Sequence, residues 1–198
     1  MNNSTIVKTL LWHNEQATAG FAQQLAALLI YQPSGLNACI TLDGELGAGK
    51  TTFVRHLLQA LGVSGRIKSP TYAVVEPYSV ACGDSLGNIW HFDFYRFSDP
   101  REWEDAGFRD IFASPGLKLC EWPQNAAGVM PTPDVAMHIA VGDDEQRHAE
   151  HDVQDHGDEQ AEARLLFLLT LGKGHGGESI LGPWELASVR GGGGGERL

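Results

Sequence analysis

The chain contains the octapeptide Gly44-Glu45-Leu46-Gly47-Ala48-Gly49-Lys50-Thr51. It follows a short apolar run at residues 38–42 and precedes residues 52–61, where apolar side chains recur at helical spacing. The pattern G-x-x-x-x-G-K-[ST] is typical of a phosphate-binding loop when it joins a strand to a helix. A chain of this length matches the pattern by chance on the order of one time in a hundred. The octapeptide therefore predicts a site for a phosphorylated ligand.

Each part of this loop has a chemical role in the prediction. The glycines let backbone N–H groups surround a β-phosphate, and the following helix adds the positive end of its dipole. Lys50 places a point charge on the β- and γ-phosphates, and the Thr51 hydroxyl is a ligand for Mg²⁺. The loop is therefore expected to hold ATP and Mg²⁺. The alternative is an ordinary glycine-rich turn with a surface lysine.

The rest of the chain reads as alternating strands and helices. Asn14 is a suitable N-cap for a helix that ends at residues 33–35, and Pro100 suits the first turn of a short helix. Strands are predicted at residues 6–12, 38–42, 71–78, 88–95, 117–121, 135–141 and 164–171, with a turn at residues 81–87.

Two acidic residues join Lys50 as candidate catalytic groups. Asp93 lies in a very apolar strand, where a carboxylate is costly to bury without a cation or donors, so we assign it to the metal side of the site. A pairing with Arg96 or a loop cap is its alternative role. Glu121 ends another apolar strand, where a carboxylate can hold or orient a metal-bound water. A surface salt bridge is the alternative for Glu121.

Further polar residues accompany these carboxylates. The segment Ser69-Pro70-Thr71-Tyr72 lies between the loop helix and the next strand, where Thr71 is placed to sense a γ-phosphate or its water. A plain proline turn is the alternative. We interpret His91 as a structural strand histidine rather than as a catalytic group.

The net charge of −11 is concentrated in one segment. Between residues 142 and 162, nine acids stand against Arg147, a net −8 that leaves −3 for the rest of the chain. Such a chain has no electrostatic footprint for binding nucleic acid by itself. The same segment holds side chains that can bind a metal, namely His148, His151, His156, Asp152 and Asp155. Because it shows neither a strand pattern nor a cysteine, we interpret residues 143–160 as a solvated insert loop whose removal barely changes stability.

Cysteine usage and hydropathy indicate the compartment. Cys39, Cys82 and Cys120 form no C-x-x-C pair, and buried thiols in a reducing cytoplasm are the expected state. No apolar run approaches the roughly 18 residues that a membrane-spanning helix needs. We therefore expect a cytoplasmic protein without a membrane segment.

Four stretches together resemble the TsaE family, also called YjeE, the small ATPases of bacterial tRNA threonylcarbamoyladenosine synthesis. They are GELGAGKTTFVRHLLQALG (residues 44–62), KSPTYAVVEPY (68–78), HFDFYRFSDPREWEDAGFRD (91–110) and CEWPQ (120–124). The resemblance covers roughly residues 5–141. It implies an α/β fold of the P-loop NTPase type in a single domain, with a mostly parallel sheet that has mixed edges and is flanked by helices.

The resemblance also implies residue roles. Thr51 and Glu121 would bind Mg²⁺, and Asp93 would lie beside the nucleotide. Glu15 would lie near the base, and Trp122 would be functionally important beside Glu121. From the residues alone, Trp122 before the rigid Pro123 is expected to be an exposed aromatic, which is costly in a lone enzyme but makes a good anchor for a partner. The expected nucleotide contacts are Glu15, Glu45, Leu46, Gly47, Ala48, Gly49, Lys50, Thr51, Thr52 and Asp93, and the expected catalytic residues are Lys50, Asp93 and Glu121.

A function follows from the same resemblance. The chain would be an ATPase that is slow alone and resets the TsaB–TsaD transferase complex for turnover. It would be a monomer when alone and would meet tRNA only indirectly, through these partners. The alternatives are a P-loop kinase of a small metabolite and a nucleotide-gated binding module that hardly cleaves ATP.

The chain departs from the family pattern in two places. The insert at residues 143–160 replaces an expected short turn, so a basic residue of the family near the nucleotide is either absent or replaced by Arg147 or Arg164. The residues after 174 resemble nothing in the family. We therefore divide the chain into an ATPase domain at residues 1–174 and a C-terminal tail with a Gly-rich end at residues 175–198.

Overall fold

The computed structural model describes residues 5–31, 36–70, 73–82, 85–141 and 147–154. In chain order, its helices and strands are β1 (Thr5–Trp12), α1 (Glu15–Tyr31), β2 (Ala38–Asp43), α2 (Lys50–Ala60), β3 (Val75–Cys82), β4 (Ser85–Asp93), α3 (Pro100–Asp105), α4 (Phe108–Ala113), β5 (Leu117–Glu121), a 3₁₀ helix (Pro123–Ala126), β6 (Val135–Val141) and β7 (Arg147–Gln154).

The described strands form one mixed sheet in the order β1-β7-β6-β2-β5-β4-β3. The four neighbours β6, β2, β5 and β4 run parallel to one another. At the margins, β3 is antiparallel to β4, and β7 is antiparallel to both β6 and β1. This arrangement confirms the predicted α/β domain with a largely parallel sheet and mixed edges. It also brings the C-terminal ends of β2, β5 and β4 to the same edge, where α/β proteins place ligands.

Alternate side chains of the central strands enter two apolar layers, one on each face of the sheet. Ile40 and Leu119 belong to the layer that includes residues of α1 and α2. Cys39 and Cys120 belong to the other layer, which includes residues of α3 and α4. Because both faces are covered, the central strands read as continuous apolar runs in the sequence.

Local capping fixes two of the predicted helix starts. The Asn14 side chain accepts a hydrogen bond from the Ala17 N–H at 2.9 Å, as expected of the N-cap of α1. Asp99 caps α3, and the Glu102 side chain accepts a hydrogen bond from the Asp99 N–H, which completes a capping box. The helix α2 stops before Gly62, which has a φ of 96°.

The structure shifts both strands of the predicted hairpin. Val74 has a φ of 60°, which an extended strand does not accommodate, so β3 begins at Val75 rather than at residue 71. The Asp93 side chain accepts from the Tyr95 N–H at 3.0 Å and ends β4 before the predicted residue 95. At the other end, pairing continues to Cys82 and Ser85, so the turn is shorter than predicted.

The insert loop predicted at residues 143–160 is wrong for its middle part, because Arg147–Gln154 form β7. This strand lies between β1 and β6 and pairs with both. A sheet can incorporate a polar strand through its backbone, and periodicity in the side chains does not reveal that. Three of the candidate metal ligands, His148, His151 and Asp152, lie on β7. The others, together with the strand predicted at residues 164–171 and the tail, lie outside the described residues.

The cysteines follow the prediction of buried thiols. None of the three forms a disulfide, and Cys39 and Cys120 are buried. Burial and a hydrogen bond with Cys39 raise the pKa of the Cys120 thiol well above its ordinary value, so this thiol is chemically quiet. In the described ranges, no helix is both long and apolar enough to cross a bilayer.

We predict that Ala149→Pro destabilises the protein by about 1–3 kcal/mol, because a strand paired on both sides loses a ladder hydrogen bond and leaves an acceptor unsatisfied. Ala149 is paired with Leu10 on one side and Ile139 on the other. The matched control Ala149→Gly keeps the N–H and should cost no more than about 1 kcal/mol. Urea unfolding measures both. Equal stability of the proline variant and the wild type would show that residues 147–154 form a loop rather than a paired strand.

Candidate active site

The loop between β2 and α2 lies at the shared C-terminal edge of the parallel strands. Asp43 ends β2, and in the sheet register Asp93 of β4 is paired with Glu121 of β5. Leu42 of β2 pairs with Glu121 from the other side. Residues far apart in the chain therefore meet at one edge because parallel strands align their ends.

Glycine is required at particular points of residues 44–49. Gly44 has a φ of 138°, and a Cβ there would lie 2.1 Å from the Ile139 carbonyl oxygen. Gly49 has a φ of 110° and provides no side-chain cap, and the first turn of α2 contains no acidic residue. The N–H groups at the start of α2 therefore have no capping carboxylate, which suits an anionic ligand.

Lys50 is held inside the loop that it ends. Its ammonium group donates hydrogen bonds to the carbonyl oxygens of Gly44 at 2.6 Å and Glu45 at 2.8 Å. Lys50 is only 4% exposed, and its Nζ lies 3.8 Å from the centroid of the Trp122 ring. Burial lowers the pKa of Lys50, and the nearby Glu121, Asp43 and Asp93 carboxylates oppose that shift.

The expectation that Trp122 is an exposed aromatic is wrong. Trp122 is half-buried because its ring covers Lys50 and lies 5.0 Å from the ring of Tyr95. Its backbone adopts a φ of 59°, and its N–H donates to the Leu42 carbonyl oxygen at 3.1 Å. A bulky residue in the left-handed region is strained, and such strain is typical of functional sites. Among the described residues, Val74 is the other non-glycine with a positive φ.

Glu121 is a buried carboxylate with a donor on each oxygen. It is 2% exposed, so the surface salt bridge considered for it is wrong. Its Oε2 accepts a hydrogen bond from the Thr51 hydroxyl at 2.8 Å, and its Oε1 lies 2.8 Å from His91 Nε2. The structure thus joins the two predicted metal ligands, Thr51 and Glu121, and adds a histidine that sequence reasoning treated as merely structural.

The oxygen atoms of this pair suit a magnesium ion. In octahedral Mg²⁺ complexes, metal–oxygen distances of about 2.0–2.1 Å separate neighbouring ligand oxygens by about 2.9 Å. The separation of 2.8 Å between Thr51 Oγ1 and Glu121 Oε2 is close to that value. The donor set of one hydroxyl and one carboxylate, with room for phosphate oxygens and water, is the kind that Mg²⁺ prefers.

Asp93 links two loops at the same edge. Its Oδ2 accepts a hydrogen bond from the Ser69 hydroxyl at 2.8 Å, and its Oδ1 accepts from the Tyr95 N–H. One oxygen of Asp93 therefore caps the loop after β4, as the alternative role considered for this residue predicted. Thr71, the residue predicted to sense the γ-phosphate or its water, lies outside the described residues, and the Ser69 contact places the start of that segment next to Asp93.

The other predicted nucleotide contacts surround the loop. Glu15 at the start of α1 lies 3.0 Å from His56 Nε2 on α2 and is largely exposed. Leu46 at the tip of the loop is 77% exposed. Sequence reasoning missed Asp43, which acts on Lys50 and lies 3.2 Å from His138 Nδ1. Its place at the C-terminal end of a central strand was the available signal.

Comparison with known proteins identifies the family of this chain. Residues 12–149 match the family described as threonylcarbamoyl adenosine biosynthesis protein TsaE. The tRNA threonylcarbamoyladenosine biosynthesis protein TsaE of Haemophilus influenzae is 40% identical over 124 residues, which cover 63% of this chain and 76% of that protein. The protein of the same name from Bacillus subtilis is 33% identical over 143 residues, which cover 71% and 84% of the two chains.

A solved structure shares the fold. The crystal structure of Bacillus subtilis YdiB superposes with a TM-score of 0.57 and 22% sequence identity, and the match covers 84% of this chain and 97% of that one. The family match spans well over half of the chain and includes the loop, the Glu121–Thr51 pair and Asp93. This chain belongs to the TsaE family.

Proposed function

We propose that this chain is a Mg²⁺-dependent ATPase that serves tRNA threonylcarbamoyladenosine biosynthesis in the cytoplasm. The observation that carries the proposal is the partly buried contact of 2.8 Å between Thr51 and Glu121, directly after a glycine loop whose lysine faces inward. A neutral ligand would gain little from the charges of Lys50 and Glu121. Membership of the TsaE family supplies the biological process.

The chain's own residues would divide the work as follows. The N–H groups of residues 45–52 would surround the β-phosphate, while Lys50 exchanges its two carbonyl contacts for phosphate oxygens. Thr51 and Glu121 would hold Mg²⁺, which neutralises charge on the β- and γ-phosphates when bound. Asp93, fixed by Ser69, would orient water near the γ-phosphate. Glu15 would contact the base from the start of α1.

We further propose that the TsaB–TsaD pair is the partner and that hydrolysis resets this pair for turnover. Phosphoryl transfer to water depends on positioned charge, and a cation supplied by a partner adds orders of magnitude in rate. Leu46 in the loop and Tyr95 after β4 are large apolar side chains with 77% and 48% exposure, and such side chains suit contact with a docked protein. The net charge of −11 favours contact with tRNA through the partners rather than directly.

Lys50→Ala tests the nucleotide site. Loss of charge-assisted hydrogen bonds worth about 1.5–3 kcal/mol should weaken ATP binding roughly 10- to 100-fold and reduce hydrolysis at least as much. Arg109→Ala, which removes an exposed cation on α4, is the control and should match the wild type. Calorimetry and phosphate release measure both. Hydrolysis by the Lys50 variant at the wild-type rate would refute the assignment, and ADP formation without phosphate release would indicate a kinase.

Proton uptake on binding gives a pH-dependent signature. Burial holds the pKa of Lys50 below its ordinary value of 10.5 in the free protein, and a bound phosphate raises it again by adding negative charge. At alkaline pH below 10.5, ATP binding should therefore take up a fraction of a proton. Calorimetry at pH 9 in two buffers of different ionisation enthalpy measures the uptake. Lys50→Arg should remove it, and proton release by the wild type would contradict the expected direction.

The partner proposal predicts stimulation. Phosphate release by the chain alone should be slow, and adding the TsaB–TsaD pair should accelerate it tenfold or more, because a docked surface completes the charge around the γ-phosphate. The pair mixed with the Lys50→Ala variant is the control for contaminating ATPase. Equal rates with and without the pair would show that the site is self-sufficient, while leaving ATP hydrolysis itself intact.

A further inference from the structure

His91 is a fully buried polar residue in the middle of an apolar strand. Its side chain is 0% exposed, and its Nε2 lies 2.8 Å from Glu121 Oε1. Its Nδ1 is buried with no hydrogen-bond partner in the described part of the chain. A buried ring nitrogen without a partner is unfavourable, so packing alone does not explain a histidine at this position. The contact made by Nε2 is the remaining reason for it.

The direction of the hydrogen bond between His91 and Glu121 follows from the chemistry of the carboxylate. Glu121 must be ionised to bind a cation, and an ionised carboxylate can only accept hydrogen bonds. The proton of the contact is therefore on His91 Nε2, and His91 donates to Oε1. The tautomer is set by this bond, because Nδ1 faces no acceptor among the described residues.

This hydrogen bond fixes the orientation of the Glu121 carboxylate plane relative to Thr51. The last torsion of a glutamate side chain is broad and roughly two-fold, so a carboxylate held at one oxygen can still turn. With His91 on Oε1, Oε2 is directed at the Thr51 hydroxyl. The two donors come from different elements, the neighbouring strand β4 and the first turn of α2, and together they leave Glu121 little freedom.

We propose that His91 is a positioning residue that orients Glu121 for the divalent cation of the nucleotide site, an inference that rests on the function proposed above. It does not touch the nucleotide; it acts through Glu121. Partners that orient metal ligands in this way are worth 10- to 100-fold in metal affinity. The effect should therefore appear in metal binding and be small for nucleotide binding without metal.

The test measures Mn²⁺ binding to the ADP-saturated protein by electron paramagnetic resonance of the free ion, beside ADP affinity in EDTA. His91→Leu should weaken Mn²⁺ binding 10- to 100-fold and change ADP affinity in EDTA less than threefold. His91→Gln keeps an N–H near the position of Nε2 and should recover Mn²⁺ affinity to within about fivefold. Ile89→Val, a buried change on the same face of β4, is the control and should bind Mn²⁺ like the wild type.

A double variant separates positioning from general damage. In a Glu121→Gln background the further change His91→Leu should have no additional effect on Mn²⁺ affinity, because the group that it positions is already lost. Additive losses, or wild-type Mn²⁺ affinity in His91→Leu, would overturn the proposal. If His91→Leu does not fold, the His91→Gln variant decides alone, and a loss beyond tenfold with normal ADP binding would count against it. A wild-type protein whose ADP binding ignores Mn²⁺ would instead refute the proposed function.

Discussion

A buried carboxylate needs a donor for each oxygen or a cation, and the candidate site is arranged around that requirement at Glu121. At 2% exposure, Glu121 has no access to bulk water that would make up for a missing partner. Its two donors come from different elements, the start of α2 and the end of β4. Satisfying one side chain therefore fixes the glycine loop, the central strand and its neighbour relative to one another.

The same edge carries an excess of negative charge. Glu121, Asp43 and Asp93 all act on the single ammonium group of Lys50. An anionic nucleotide would add to that excess, and a divalent cation bound beside it would offset the added charge. Charge balance and the geometry of Thr51 and Glu121 therefore both support the proposed divalent cation. The positive charge of Lys50 is stabilised by its hydrogen bond to the Gly44 carbonyl oxygen and by the Trp122 ring that covers it.

Local sequence patterns predicted what local physics determines. The apolar runs of β5 and β6, the Asn14 cap and the glycine loop are all set by neighbours in the chain, and the structure confirms them. The role of His91 depends on an acceptor 30 residues away, which periodicity does not reveal. β7 has a polar sequence without strand periodicity, and its pairing with β1 and β6 was therefore not predicted. The place of Trp122 depends on a left-handed backbone that a bulky residue seldom adopts.

The pairing of the first described strand with the last has a consequence for biosynthesis. β1 lies at the edge of the sheet, and its neighbour is β7, with Thr5 opposite Gln154. At about 5–20 residues per second, a ribosome makes Gln154 roughly 7–30 s after Thr5. During that interval the nascent chain carries a strand whose partner does not yet exist, and an unpaired strand is a template for pairing with other chains. Synthesis of β7 therefore ends the interval in which β1 is open to pairing with another chain.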